Sequence, residues 1–403
     1  MRLLKISNGL WGCVLSLLAA LSLIYAYISF DAPYYLAIAR DISNGLVPYK
    51  DISSLYAPLM MYLNSLIFLF FEDPDYNYFL FFQYAIIFSS AGLLYLLARK
   101  LNLNKQKSLF LSLFLILAIL SSDGININLE VYLILCVFCS FWFLINKHFF
   151  LAGAFLSLSV LVKQYGVFNF IPFFLLIFYY HNFNKKNLIK FLIGASIPVI
   201  LFLIYYVFIN NVSFLELLDQ LSGRGYGQKN VSRSRSLFTW LVGSKVFLLL
   251  LLPLLFLKIK PFKDKISGIL ILGIIVNLVP VLIQVFPHYF IITFPYIFML
   301  FVRNERNINK KFIYISNISL MVICLLLFLR IFRYKDVYGE QLNNAEKYKN
   351  EYPEGSIVFL AGPIRYLYIL NDYQNPVLEQ VGYDYSFQPD DEFRENYEVI
   401  ALE

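Results

Sequence analysis

Long apolar runs separated by short charged turns make up most of this chain. Runs of about twenty residues, enough to cross roughly 30 Å of hydrocarbon as a helix, recur between residues 10 and 329. The pattern predicts spans over 10–30, 77–97, 108–121, 131–145, 149–162, 167–180, 191–209, 237–257, 266–286, 290–302 and 312–329. A further apolar run, 57–71, is short and ends in Glu72-Asp73-Pro74-Asp75; it reads as a re-entrant or interfacial helix. No water is present inside a bilayer, so every backbone group needs a partner in the chain, and a helix supplies one within each segment. Residues 1–333 therefore read as an all-α polytopic membrane domain of about 11 transmembrane helices.

From residue 334 the pattern changes. Ser356-Ile357-Val358-Phe359-Leu360-Ala361 reads as a strand and Gly362-Pro363 as a turn. Residues 334–403 are expected to form a small soluble α/β segment. At about seventy residues it is small for a free domain, so it is expected to pack on the outer face of the membrane part.

Composition agrees with the pattern. The chain is 60% hydrophobic and only 15% charged, with 41 Phe and 31 Tyr, whereas soluble domains run near a quarter charged. Its net charge of +7 hides two regions, because residues 336–403 hold 14 of the 26 acids and only four Arg or Lys. Alternate turns of the membrane part gather 18 Arg or Lys against two acids, Asp264 and Glu305. Those turns are expected in the cytoplasm, with the N-terminus inside and the C-terminus outside. The first apolar run has no small-residue cleavage site before Asp31, so it is expected to be a retained helix. Short loops rich in Ile, Lys, Asn, Phe and Tyr suit a bacterial inner membrane. Cys13, Cys136, Cys139 and Cys324 all fall inside predicted spans, and helical spacing explains the CxxC; neither a disulfide framework nor a zinc site is expected.

Candidate chemistry collects at the outer ends of the predicted helices. The first outer loop, 31–56, carries Asp31 and Asp51, and its length and mixture of acids with aromatics mark it as functional. Glu130, Lys163 and His288 fall on the same side, as do Arg224, Lys229, Arg233 and Arg235 of a long loop. Four cations on the side that membrane proteins keep poor in them point to an anionic ligand. Taken singly, each has a plainer reading: a solvated acid, a snorkelling lysine, an interfacial histidine. Their convergence on one face is the stronger signal.

Several of these residues carry a resemblance. An Asp directly after the first span, Tyr34, an Ala-rich helix, Gly45, Pro48-Tyr49, Asp51 and Tyr56-x-Pro58 resemble the first outer loop of GT-C glycosyltransferases. Glu130, Leu161-Val162-Lys163-Gln164, His288-Tyr289 and a soluble outer tail extend the resemblance over most of the chain. It is nearest to the protein O-mannosyltransferase-like and lipid A aminoarabinose transferase-like enzymes. The resemblance implies a polyprenyl-phosphate monosaccharide donor used on the non-cytoplasmic face, with Asp31 as the catalytic base. Ala32 stands where many members carry a second acid, so either Asp51 or Glu130 supplies the second carboxylate or the acceptor differs.

The chemistry fits those residue types. A carboxylate can take the acceptor's hydroxyl proton as the sugar carbon is attacked, and cations can stabilise the departing phosphate. One base and a phosphate leaving group favour a single inverting displacement. Lys163, Arg224, Lys229, Arg233 and Arg235 are the expected phosphate ligands; Tyr34, Tyr49, Tyr56, His288 and Tyr289 are the expected substrate contacts. The acceptor is a lipid, glycan or protein hydroxyl, and membrane lipids surround the chain; no nucleic-acid partner is expected. No cofactor is assigned, and a divalent metal is left open, since acids alone do not identify one. Rival readings are a flippase or transporter of lipid-linked sugars, and a polymerase or ligase of lipid-linked glycans.

The topology is directly testable. A reporter active only outside the cytoplasm should work when fused after Glu403 and stay silent after Lys107 or Lys311. The reverse pattern inverts the scheme.

Overall fold

A computed structural model describes residues 2–24, 32–52, 54, 56–71, 74–180, 184–221, 237–257, 264–283, 286–304, 310–351, 358–360 and 398–400. Asp31, Arg224, Lys229, Arg233 and Arg235 lie outside the described residues, as does most of the expected α/β segment.

The described chain is overwhelmingly helical. Its helices are α1 (Arg2–Ile24), α2 (Ala32–Ser43), α3 (Leu59–Phe70), α4 (Tyr76–Lys100), α5 (Lys105–Ile119), α6 (Leu129–Ile145), α7 (Phe149–Val162) and α8 (Phe170–Tyr180). There follow α9 (Lys185–Leu203), α10 (Phe214–Leu221), α11 (Leu237–Leu254), α12 (Lys265–Val276), α13 (Val279–Ile283), α14 (Phe294–Arg303) and α15 (Lys310–Glu351). Two three-residue strands, β1 (Val358–Leu360) and β2 (Glu398–Ile400), pair in parallel. Four helical stretches among the described residues are long and apolar enough to cross a membrane: Tyr76–Lys100, Lys105–Gly124, Lys185–Ile209 and Lys311–Arg333. Eight shorter apolar helices accompany them. This is an integral membrane protein.

Local chemistry explains where the helices turn. Between α4 and α5, Asn102 takes a left-handed φ of 69°, a conformation Asn tolerates, and the Asn104 side chain accepts from the Lys107 N–H at 2.9 Å to cap α5. Between α6 and α7, Lys147 turns left-handed and the His148 N–H bonds back to Phe143 O at 2.8 Å. Both turns fall where the cationic clusters predicted a change of direction.

Other features depart from the pattern. Several apolar runs are broken: a π-turn at Leu120–Gly124, 3₁₀ turns at Gln164–Asn169 and Pro287–Thr293, and a turn after Asn277. At the other extreme, α15 runs 42 residues and carries the expected domain boundary at 333/334 in its interior. Its last twelve residues include three Glu and two Lys, strong helix formers that continue the helix after the apolar stretch ends.

The chain divides into two compact units. The first comprises Met1–Ser22, Phe82–Ile200 and Ser234–Arg330; the second comprises Leu23–Phe81, Leu201–Arg233 and Ile331–Glu403. In the first unit α14 is buried on every side from Phe294 to Val302, as a helix apolar all round must be. At its far end Arg303 grips Asp264 with two hydrogen bonds of 3.1 and 3.2 Å, and Ser267 adds a third at 2.7 Å. Although partial burial pushes the Asp264 carboxyl up, these bonds hold it below its ordinary value. Asn169, Asn277 and Tyr296 form a buried amide–phenol network of 2.8 and 3.1 Å contacts.

Helices α7 and α9 touch backbone to backbone. A Cβ on Gly153 would lie 2.0 Å from Phe191 O, and one on Gly194 would lie 1.9 Å from Phe150 O. Such contact supplies the van der Waals packing that holds helices together where lipid removes the hydrophobic drive. Gly153→Leu or Gly194→Leu should therefore lower stability by at least ~1–3 kcal/mol, read as a lower thermal midpoint in detergent. Gly92→Ala, on α4 with nothing within 4 Å of its added carbon, should leave the midpoint unchanged or slightly raised.

Candidate functional site

In the first unit, the ends of α5, α6 and α7, the turn before α14 and the interior of α15 bring ionisable residues together. The construction starts at the π-turn, where Asp123 takes φ 82° and ψ 6°, outside the helical region. Asp and Asn are among the few side-chain-bearing residues that visit this conformation at modest cost. Gln83 of α4 pins the strand of backbone that follows. Its amide donates to Gly124 O at 2.7 Å and to Asn126 O, and accepts from Asn128 N–H at 2.8 Å. Asn128 Nδ2 returns to Asp123 O at 2.7 Å. Backbone groups that left the helix ladder thus find side-chain partners.

The Asp123 carboxylate then joins distant segments. Its Oδ1 accepts from Arg330 of α15, and its Oδ2 lies 3.4 Å from His288 Nδ1 on the Pro287–Thr293 turn. Asn126 Nδ2 donates to the same Oδ1 at 2.5 Å. His288 is stacked on Phe286, with ring centroids 5.5 Å apart, and meets Tyr289 edge-on at 4.7 Å.

Beside this lies a closed ion pair. Lys163 Nζ is 2.5 Å from Glu130 Oε1, and the two side chains are only 2% and 1% exposed. Glu130 sits in the first turn of α6 and Lys163 just past the last turn of α7, the ends at which each charge suits the helix dipole. Lys163 also lies 4.2 Å from the centre of the Tyr289 ring and 5.3 Å from that of Tyr165. Cation–π contact supports an ammonium taken out of water. Ser122 Oγ and Asn126 Oδ1 are buried next to this network without a hydrogen-bond partner among the described residues.

Glu130, Lys163, His288 and Tyr289 are therefore neighbours. The first two, expected as acid and phosphate ligand, meet as an ion pair. Asp123 and Arg330 were missed. Their sequence signals were an acid opening Asp-Gly-Ile-Asn-Ile-Asn and the first cation after the last apolar run. Among the described residues no three His, Cys, Asp or Glu side chains gather as a metal-binding group.

The second unit holds the other expected residues that are described, Tyr34, Tyr49, Asp51 and Tyr56. Tyr34, Tyr35 and Tyr56 form a ring cluster with centroids 5.6–5.8 Å apart. Tyr49 has a left-handed φ of 68°, is 1% exposed, and packs against Tyr206 at 5.0 Å. Its hydroxyl donates to Tyr56 O at 2.6 Å. Asp51 accepts from the Val47 N–H at 2.8 Å, closing the turn that carries Tyr49. Gln220 of α10 clasps this turn, accepting from Ser54 N–H at 3.1 Å and donating to Tyr49 O at 3.2 Å. Asp51 and Tyr49 thus shape the opening loop from within.

Over 223 residues the chain is 30% identical to GPI mannosyltransferase 1 of Dictyostelium discoideum. The chain spans about half the length of that curated relative: the alignment covers 47% of this chain and 48% of the other. No protein-family model matches this chain, and no solved structure does.

The ion pair gives a direct test of the site's construction. Glu130→Ala strands the Lys163 ammonium in a dry setting and should cost about 3–5 kcal/mol. The double change Glu130→Gln with Lys163→Met removes both charges and should recover most of that loss in thermal unfolding. A single variant as stable as the parent would mean the pair is open.

Proposed function

We propose that this chain is a membrane glycosyltransferase of the GT-C type. It moves a monosaccharide from a polyprenyl-phosphate donor to a hydroxyl of a lipid, glycan or protein acceptor on the non-cytoplasmic face. The observation that carries this reading is the similarity to a GPI mannosyltransferase, in a chain where Asp123, Glu130, Lys163 and His288 gather at helix ends. The loop motifs support a place beside the protein O-mannosyltransferase-like and lipid A aminoarabinose transferase-like enzymes.

In this reading Asp31 takes the acceptor proton while the sugar carbon is attacked in line, with inversion, and the lipid phosphate leaves. Cations of residues 224–235 stabilise the phosphate charge as it develops. Asp51 orders the opening loop from which Asp31 acts, and Glu130 with Lys163 braces the helix ends around His288.

A transporter or flippase is the second reading. The buried charges on Glu130 and Lys163 and the half-buried ones on Asp123 and Arg330 favour it, because ionisable groups within membrane helices commonly line transport paths. Detergent-solubilised protein separates the two, since transport needs two compartments and transfer needs none. Purified protein given a polyprenyl-phosphate sugar should glycosylate an acceptor in detergent. Asp31→Asn keeps the shape but removes the basic carboxylate, and transfer should fall roughly 10²–10⁴-fold with donor binding little changed. Full transfer by Asp31→Asn, with loss in Asp51→Asn or Glu130→Gln, would move the base to that residue.

A further inference from the structure

The short helix α10, in the second unit, has three faces of different character. Leu217 is buried, and with half-buried Leu221 it belongs to one packed cluster with Tyr49, Tyr206 and Val212. Phe214, Leu215 and Leu218 form a second stripe, 48%, 76% and 47% exposed. Glu216 and Asp219, one turn apart, are exposed on a third. At 3.6 residues per turn these positions fall in separate sectors of the helix.

The segment before α10 faces lipid. The span Lys185–Ile209 ends in exposed Leu201, Ile204, Phe208 and Ile209. Asn211 then takes a left-handed φ of 57°, and the Val212 N–H bonds to Tyr206 O at 2.9 Å, so the chain turns sharply where the span stops. The exposed apolar stripe resumes at Phe214, on a helix packed in the same cluster as Tyr206 of the span's last turn.

A helix of eight residues is about 12 Å long and cannot cross a bilayer. Neither bulk phase suits it. Water would leave the apolar stripe bare, and hydrocarbon would strand Glu216 and Asp219. At the boundary the three faces meet the protein, the acyl chains and water.

We propose that α10 lies in the membrane surface with its Phe214, Leu215 and Leu218 stripe in the acyl-chain boundary, and that this lipid contact seats the opening loop. The loop is tied to the same helix, since Gln220 accepts from Ser54 N–H and donates to Tyr49 O. Interfacial helices commonly carry basic residues that grip anionic headgroups. This one carries acids and no Lys or Arg, so its partner is the apolar boundary of the bilayer, whatever the headgroup charge. That the seated loop belongs to a transfer site rests on the function proposed above; the insertion does not.

The test uses the full-length chain in phosphatidylcholine nanodiscs holding one copy, with Cys13, Cys136, Cys139 and Cys324 replaced by Ala. A fluorophore on a single introduced cysteine is quenched by lipid-borne nitroxides at two depths and by aqueous iodide. Labels on Leu215→Cys and Leu218→Cys should lie about 5–10 Å below the headgroups and be shielded from iodide. Those on Glu216→Cys and Asp219→Cys should be open to iodide. Adding phosphatidylglycerol should change none of these depths. The pair Phe214→Ser with Leu215→Asp should expose the Leu218→Cys label to iodide and speed amide exchange over residues 47–54 about tenfold or more. Both side chains are exposed, so the parent's thermal midpoint should be kept, which separates lost seating from misfolding. Leu215→Trp keeps an interfacial apolar group and should preserve both insertion and exchange.

Equal iodide quenching at all four positions would overturn the proposal. So would shielding of Leu215→Cys from both quenchers, because another part of the chain would then cover the stripe. Shielding only in discs that hold two copies would assign the stripe to a second copy and overturn it likewise. Insertion that needs phosphatidylglycerol would overturn the choice of partner, and unchanged exchange in the Phe214→Ser, Leu215→Asp pair would overturn the seating of the loop. Inserted labels in a protein that transfers no sugar would leave this seat standing and remove the function proposed above.

Discussion

The first unit depends on a carboxylate that could not be buried alone. Asp123 sits where α5 has come apart, and a lone carboxylate in such a place is heavily penalised. Arg330, His288 and Asn126 remove the penalty together, and in doing so they tie the middle of α15 and the turn before α14 to the end of α5. Glu130 and Lys163 repeat the logic next door. Buried pairs of this kind add little stability relative to apolar packing. What they add is register: each charge is met by a fixed set of neighbours, so the helices that carry them have one seat.

Helices and their ends were legible in the sequence where one local rule decides. Long apolar runs marked the long helices, and the cationic turns between them marked the changes of direction that Asn102, Asn104 and Lys147 carry out in the structure. The breaks were not legible, because an apolar run looks the same whether or not a π-turn or 3₁₀ turn interrupts it. Nor was the length of α15, where a change from apolar to charged residues reads as leaving the helix when it only means leaving lipid.

The candidate site was half visible. Placing Glu130, Lys163 and His288 on one side of the membrane came from counting turns, and the structure gathers these three. Pairing required more than counting. Glu130 and Lys163 are 33 residues apart, Asp123 and His288 165 apart, and nothing local in either partner names the other. Tyr49, expected as a substrate contact, also has a place in the loop's own packing. Its positive φ and burial, which nothing in the loop's composition announced, make it the peg on which the loop turns.

The separation of Asp123 from Arg330 has a consequence for how the protein is made. The two are 207 residues apart, and a ribosome working at about 5–20 residues per second needs roughly 10–40 s to cover that distance. During that interval the carboxylate has no guanidinium, so the helices already inserted carry an uncompensated charge. Only when the last apolar helix arrives is the charge matched. A chain that stalls or loses its final helix therefore keeps a polar flaw in the membrane, and that flaw distinguishes an unfinished copy from a finished one.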